Sequence, residues 1–175
     1  MKWLIASDLH GSAAHVEKLM RAFEREGADR LLLLGDLLSN GLIDANKDAV
    51  ADMLNAMADK ITCVRGNCDS DADVARMAFP IEEGYLAIPV GNKRMFATHG
   101  HEYNSVHLPP MDTGDILLHG HTHVPATEPH PDHLYLNPGS VSIPKWGSAH
   151  GYMTLANGVF RWMTLDGEEY RQYEV

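Results

Sequence analysis

Asp8, His10, Asp36, Asn67, His99, His121 and His123 are carboxylates, imidazoles and one amide, side chains that bind divalent cations through oxygen and nitrogen. They fall in five short motifs: Asp8-Leu9-His10, Gly35-Asp36, Gly66-Asn67-Cys68-Asp69, His99-Gly100-His101 and Gly120-His121-Thr122-His123. Asp8 with His10, and His121 with His123, have an i, i+2 spacing. In an extended chain that spacing points both side chains the same way, so each pair is expected to reach one ion together. Asp36 follows a glycine that lets the backbone turn sharply, and its two carboxylate oxygens can bridge two cations. Taken singly the motifs are ordinary, since turns are rich in Asp and Asn. Each, however, comes directly after a short apolar run, and that shared position makes the set a candidate metal site. Oxygen and imidazole donors without thiolate suit Mn, Fe, Co, Ni or Zn, and the carboxylate and amide share points to manganese first.

The elements that must position these residues are legible as apolar runs. Residues 2–7 read as a strand, and Val16, Leu19, Met20 and Phe23 share one face of a helix that Ser12 caps and Gly27 ends. Residues 30–34 read as a buried strand, Val50, Met53, Leu54 and Met57 as a second helix face, and residues 61–64 as a third strand. This βαβαβ order implies parallel strands joined by right-handed crossovers. After Pro80 the pattern changes. Residues 85–88 and 94–98 flank Gly91-Asn92, residues 154–156 and 159–163 flank Asn157-Gly158, and Asp166-Gly167 precedes a final run at 168–173. With a further run at 115–118, antiparallel pairing is expected to dominate this half. The fold predicted is a mixed α/β domain over residues 1–175, with the polar residues at strand ends, where open α/β sheets place their sites.

Composition narrows the partners. At 175 residues the chain fits one domain. It carries 24 acidic and 14 basic residues for a formal net charge of -10, which argues against broad contact with nucleic acid or an anionic bilayer. Cys63 and Cys68 form neither a disulfide framework nor a thiolate zinc cage. Reduced thiols, and an N-terminal apolar run too short for a signal peptide, lead us to expect a cytoplasmic protein with no membrane partner.

The five motifs, in their order, resemble the signature of the calcineurin-like metallophosphoesterases. The Asn-Cys-Asp variant and Asn137-Pro138-Gly139-Ser140-Val141-Ser142 are similar to the YfcE-type phosphodiesterases within that superfamily. The resemblance implies a four-layer α-β-β-α sandwich, two facing sheets flanked by helices. It assigns Asp8, His10, Asp36 and His123 to one divalent metal, and Asp36, Asn67, His99 and His121 to a second, with Asp36 as the bridge. The reaction implied is hydrolysis of a small phosphodiester by a hydroxide shared between the two cations. A homo-oligomer is consistent with the resemblance; the alternative is a non-catalytic scaffold of the same fold that binds other proteins.

Asp36, Asn67 and Arg65 are the candidate catalytic residues, Arg65 as a contact to a phosphate oxygen. Many members of the family carry a histidine after the ligating asparagine, able to protonate the leaving oxygen. Cys68 stands there instead, so diesters or activated substrates are expected over unactivated monoesters, with His101 and His119 as substitute acids. Asp69 is expected to support its loop, and Ser140 to form a turn rather than a nucleophile. Residues 103–113 are a loop that could border the pocket, and His15, His107, His130, His133 and His150 are expected at the surface.

Overall fold

A computed structural model describes residues 1–39 and 45–175. The first half alternates strand and helix: β1 (Trp3–Ala6), α1 (Ala13–Glu26), β2 (Arg30–Leu33), α2 (Lys47–Asn55), β3 (Ile61–Val64), the single turn α3 (Asp71–Val74) and the short β4 (Ile81–Glu82). The rest is strand and loop: β5 (Tyr85–Val90), β6 (Lys93–Thr98), β7 (Ile116–His119), β8 (Ala126–Pro129), β9 (Leu134–Asn137), β10 (Gly151–Ala156), β11 (Val159–Thr164) and β12 (Glu169–Glu174). They form two sheets, in the orders β12-β11-β10-β1-β2-β3-β4 and β5-β6-β7-β9-β8.

The apolar runs at β1 and β2 are continuous because both faces of their sheet are covered. Successive side chains alternate: Leu4, Leu31 and Leu33 join Val16, Leu19 and Phe23 of α1 and Val50 and Leu54 of α2 in one core. Ile5, Leu32 and Leu34 face the other way, against Met95 and Ala97 of β6, Ile116 and Leu118 of β7, and Leu136 of β9. The mixed α/β class and the two facing sheets are thus as expected. Helices are few and all precede residue 75 among the described residues. On the outer side of the five-stranded sheet Tyr85 instead meets the edge of Tyr103, from the loop after β6.

The N-terminal unit is as expected, with β1, β2 and β3 parallel. Gly27 ends α1 in the left-handed region, φ +57°. Ser12 stands at the N-cap position, but its hydroxyl pairs with His15 Nδ1 at 2.7 Å and makes no cap bond. Antiparallel pairing dominates the second half, as expected, but not throughout. Hairpins do join β5 to β6 and run from β10 through β12, yet β6, β7 and β9 are parallel. The reason is connection length: residues 99–115 separate β6 from β7, enough for a crossover that no hairpin turn provides. Strands β8 and β9 gave no separate signal; β8 is a half-exposed edge.

Trp162 of β11 locks the two sheets together. It is fully buried, and its indole N–H donates to the Asn137 carbonyl at the end of β9, 2.7 Å away. Trp162→Phe removes that donor and leaves a buried carbonyl unpaired. The expected loss is about 1–3 kcal/mol of unfolding free energy, read as a lower urea midpoint at unchanged slope.

Candidate metal centre

The C-terminal ends of β1, β2, β3, β6 and β7, drawn from both sheets, deliver Asp8 and His10, Asp36, Asn67, His99, and His121 and His123. The local backbone differs from the extended geometry expected of the i, i+2 pairs. Asp8 (φ +58°), His10 (φ +47°), Asp36 (φ +56°), His121 (φ +63°) and His123 (φ +65°) all occupy the left-handed region. Such conformations cost non-glycine residues on the order of 1 kcal/mol or more each and persist only where the surroundings over-determine them. Convergence of these side chains therefore comes from sharp turns at strand ends, not from strand pleat.

Three sets of hydrogen bonds impose those turns. The Asp69 carboxylate accepts the backbone N–H groups of Asp36 (2.8 Å), Leu37 (2.7 Å) and Gly66 (2.8 Å), tying the loop after β2 to the loop after β3. There the chains approach so closely that a Cβ on Gly66 would overlap the Asp36 carboxylate and backbone. The loop after β1 is held by the Asp8 carbonyl, which accepts the hydroxyls of Ser140 and Ser142, both at 2.9 Å. This gives the Asn137–Ser142 turn its role, and Ser140 is part of a turn, as expected. Finally, the buried Asn137 amide donates to the Gly120 carbonyl at 2.9 Å and to Thr122 Oγ1 at 3.0 Å, fixing the loop that carries His121 and His123.

The ring tautomers follow from fixed partners. His99 Nδ1 donates to the Leu34 carbonyl (2.6 Å) and His123 Nδ1 to the Ile143 carbonyl (2.7 Å), while His10 Nδ1 pairs with Ser39 Oγ (2.5 Å). A carbonyl only accepts, so neutral His99 and His123 carry the proton on Nδ1 and turn the Nε2 lone pair to the cluster. His10 Nε2 lies 3.7 Å from Asp8 Oδ1 and 3.8 Å from Asp36 Oδ2, and His123 Nε2 lies 3.3 Å from Asp8 Oδ1. His99 Nε2 is 3.5 Å from Asp36 Oδ1, 3.0 Å from Asn67 Oδ1 and 3.2 Å from His121 Nδ1. The two oxygens of Asp36 thus face two different imidazoles.

These donors fit a cation better than they fit one another. Asp8 Oδ1 and His10 Nε2 are buried with no hydrogen-bond partner among the described residues, which is costly unless something positive joins them. Two groupings have ligand atoms within 4.8 Å of one another: Asp8, His10 and His123, and Asp8, Asp36 and His99. Ligands about 2.1 Å from one ion stand roughly 3.0–3.5 Å apart, close to the separations seen here. Burial opposes ionisation of Asp8, but the neighbouring His10, His99 and His123 rings favour the carboxylate and hold its pKa below the ordinary range. Burial, then mutual repulsion with His99, lowers the His121 pKa; burial also lowers that of His123. Neutral imidazoles are the ligating form.

Other expected residues are distributed differently. The Arg65 guanidinium is engaged by Asp71 (2.6 Å), Glu83 (2.8 Å) and the Asp69 carbonyl (2.9 Å), and so braces the loop after β3 rather than turning to the cluster. Burial brings the His119 pKa down to about 4, and its ring stacks on Tyr135 at 4.5 Å, so it is neutral and packed away. His101 is exposed beside the cluster, 5.4 Å from the His99 ring. Burial and the Asp36 carboxylate push the Cys68 thiol up to about 11, leaving it protonated near neutrality. His133, expected at the surface, is buried against Asp132.

Residues 1–157 match the family model of the calcineurin-like phosphoesterase superfamily domain. Over 173 residues the chain is 39% identical to phosphodiesterase YfcE of Escherichia coli K12, covering 96% of this chain and 94% of that protein. The solved structure of the E. coli phosphoesterase Yfce superposes with a TM-score of 0.93 at 37% identity, covering 99% of each chain. Vps29 of Entamoeba histolytica, solved with zinc, shares the fold at a TM-score of 0.64 and 21% identity, over 99% of each chain.

Asp69→Ala leaves three buried backbone N–H groups without their acceptor and is expected to lower stability by about 3 kcal/mol or more in urea unfolding. Asp69→Asn, which can still accept two of the three, should lose less.

Proposed function

Because the chain belongs to the calcineurin-like phosphoesterase superfamily, we propose that it is a metal-dependent phosphodiesterase, a single-domain hydrolase of small phosphodiesters. One divalent cation would be held by Asp8, His10, Asp36 and His123, and a second by Asp36, Asn67, His99 and His121. The observation that carries this reading is the divided Asp36 carboxylate, one oxygen toward His10 and the other toward His99, beside a buried and unpaired Asp8 Oδ1. Two cations so held supply Lewis acidity that activates water and offsets phosphoryl charge. Among the candidate ions manganese suits the carboxylate and amide share, with Zn, Fe, Ni and Co able to substitute. A scaffold would need none of these strained, buried and unpaired ligand atoms.

The chain's own groups set the geometry. The Nδ1 bonds of His99 and His123 fix which ring nitrogen faces inward. Asn67 is oriented through its Nδ2 bond to Cys68 Sγ at 3.3 Å, which turns the amide oxygen toward His99. Asp36 Oδ1 accepts the Cys68 backbone N–H at 2.9 Å, so the bridging carboxylate is held by its own loop partner. Protonated Cys68 is neither a nucleophile nor a ready acid at neutral pH. Exposed His101, not buried His119, is the group positioned to donate a proton to a leaving oxygen.

Metal-replete protein should hydrolyse bis(p-nitrophenyl) phosphate far faster than p-nitrophenyl phosphate, and chelation should abolish both. Asp36→Asn should weaken both metal positions in titration calorimetry; retention of two undiminished sites would overturn the shared ligand. Cys68→His is expected to raise monoester hydrolysis relative to diester by about tenfold or more, short of the roughly 10²–10⁴-fold a well-placed general acid contributes.

A further inference from the structure

A cleft of about 720 Å³ adjoins the ligand loop, within the roughly 300–1,000 Å³ typical of small-molecule sites. Thr122, lying between His121 and His123, forms part of one wall; Pro125 and Tyr135 line it, and Lys145, Trp146 and Arg171 complete it. Trp146 is 91% exposed and sits at φ +54°. Gly147 follows at φ +73°, and the Ser148 N–H closes the turn on the Lys145 carbonyl at 3.0 Å. In a turn with positive φ at both central positions, Asn or Gly is the favoured first residue. An indole there is strained and fully displayed to water, a double cost with no return inside the folded chain.

The turn is built onto the metal centre. The Lys145 N–H donates to the His123 carbonyl at 3.2 Å, and Ser148 Oγ reaches the same carbonyl at 3.5 Å. The Lys145 ammonium has no hydrogen bond or ion pair among the described residues, and its side chain lines the cleft. Arg171, by contrast, is occupied by the Pro125 carbonyl and Thr127 Oγ1. An unpaired cation and an exposed aromatic plate therefore line one cleft, on a turn bonded to the His123 backbone. A flat plate with polar rim groups suits a planar heteroaromatic ring better than a flexible acyl chain.

We propose that Lys145 and Trp146 form the specificity site for one ester arm of the substrate: Lys145 pairs with a phosphate oxygen and Trp146 stacks a nucleobase, making nucleoside phosphodiesters the preferred class. This rests on the phosphodiesterase reading and is tested so that the two can fail separately. Thymidine 5′-monophosphate should quench the emission of the intact protein but not that of Trp146→Asn, because of the three tryptophans Trp146 is exposed, Trp3 half-buried and Trp162 fully buried. Calorimetry should show its binding weakened roughly tenfold by Trp146→Asn, the scale of one base–aromatic stack. Lys145→Met should weaken the nucleotide but not thymidine. In turnover, the kcat/KM ratio of thymidine 5′-(p-nitrophenyl phosphate) to methyl p-nitrophenyl phosphate should fall about tenfold in Trp146→Asn and be kept by Trp146→Phe. Trp146→Asn should also leave Tm unchanged or raised, since it relieves a strained turn; a purely structural tryptophan would lower it. Binding and quenching without hydrolysis of either ester would uphold the cleft and refute the phosphodiesterase. Hydrolysis with an unaltered ratio and no quenching would overturn the cleft and leave the phosphodiesterase standing.

Discussion

The Asp69 carboxylate, accepting three backbone N–H groups from two loops, is the constraint on which the centre depends. It makes the turn at Asp36 and the turn at Gly66 a single rigid body. Burial raises the Asp69 pKa, although the Gly66, Leu37 and Asp36 amides pull it back by favouring the charged form. With that body fixed, Asp36 can hold a left-handed conformation that an isolated loop would relax within a bond rotation. The same logic recurs at Asp8, whose carbonyl is gripped by two serine hydroxyls, and at the His121 loop, held by Asn137.

Beneath these bonds lies the packing of two sheets. Leu32, Ile5 and Leu34 interdigitate with β6, β7 and β9, so strand ends from separate sheets emerge at one edge. Parallel strands in both sheets matter here, because only they present several C-terminal ends on the same side. Trp162 links that core to the Asn137 turn, and through it to the histidine loop. Core packing and ligand geometry are therefore coupled along one path of named contacts.

The finished site is asymmetric. On one side Arg65, Asp71 and Glu83 form a braced rim in which opposite charges are already paired. On the other, Lys145 is unpaired among the described residues and Trp146 is exposed at the cleft that Thr122 helps to line. With a formal charge of -10, any pull on an anion at this edge comes from local rather than overall field, and this side carries the free cation.

Much of this was legible in the amino-acid sequence. The seven ligand types, their place after apolar runs, the first βαβαβ unit and the glycine turns follow from residue chemistry and short-range periodicity, which are properties of neighbours in the chain. The resemblance carried by the five motifs added the ligand sets and the paired sheets. The parallel course of β6, β7 and β9 was not legible, since a long connection leaves strand direction open until distant faces pack. Nor was the left-handed backbone at five of the candidate ligands, because intrinsic preference opposes it and contacts from Asp69, Asn137, Ser140 and Ser142 impose it. Arg65 read as a phosphate contact until its acidic neighbours were brought together in space. Lys145 and Trp146 carried no motif at all. Sequence determined which groups could meet a metal; tertiary structure decided their angles and their neighbours, because both depend on hydrogen bonds between residues far apart along the chain.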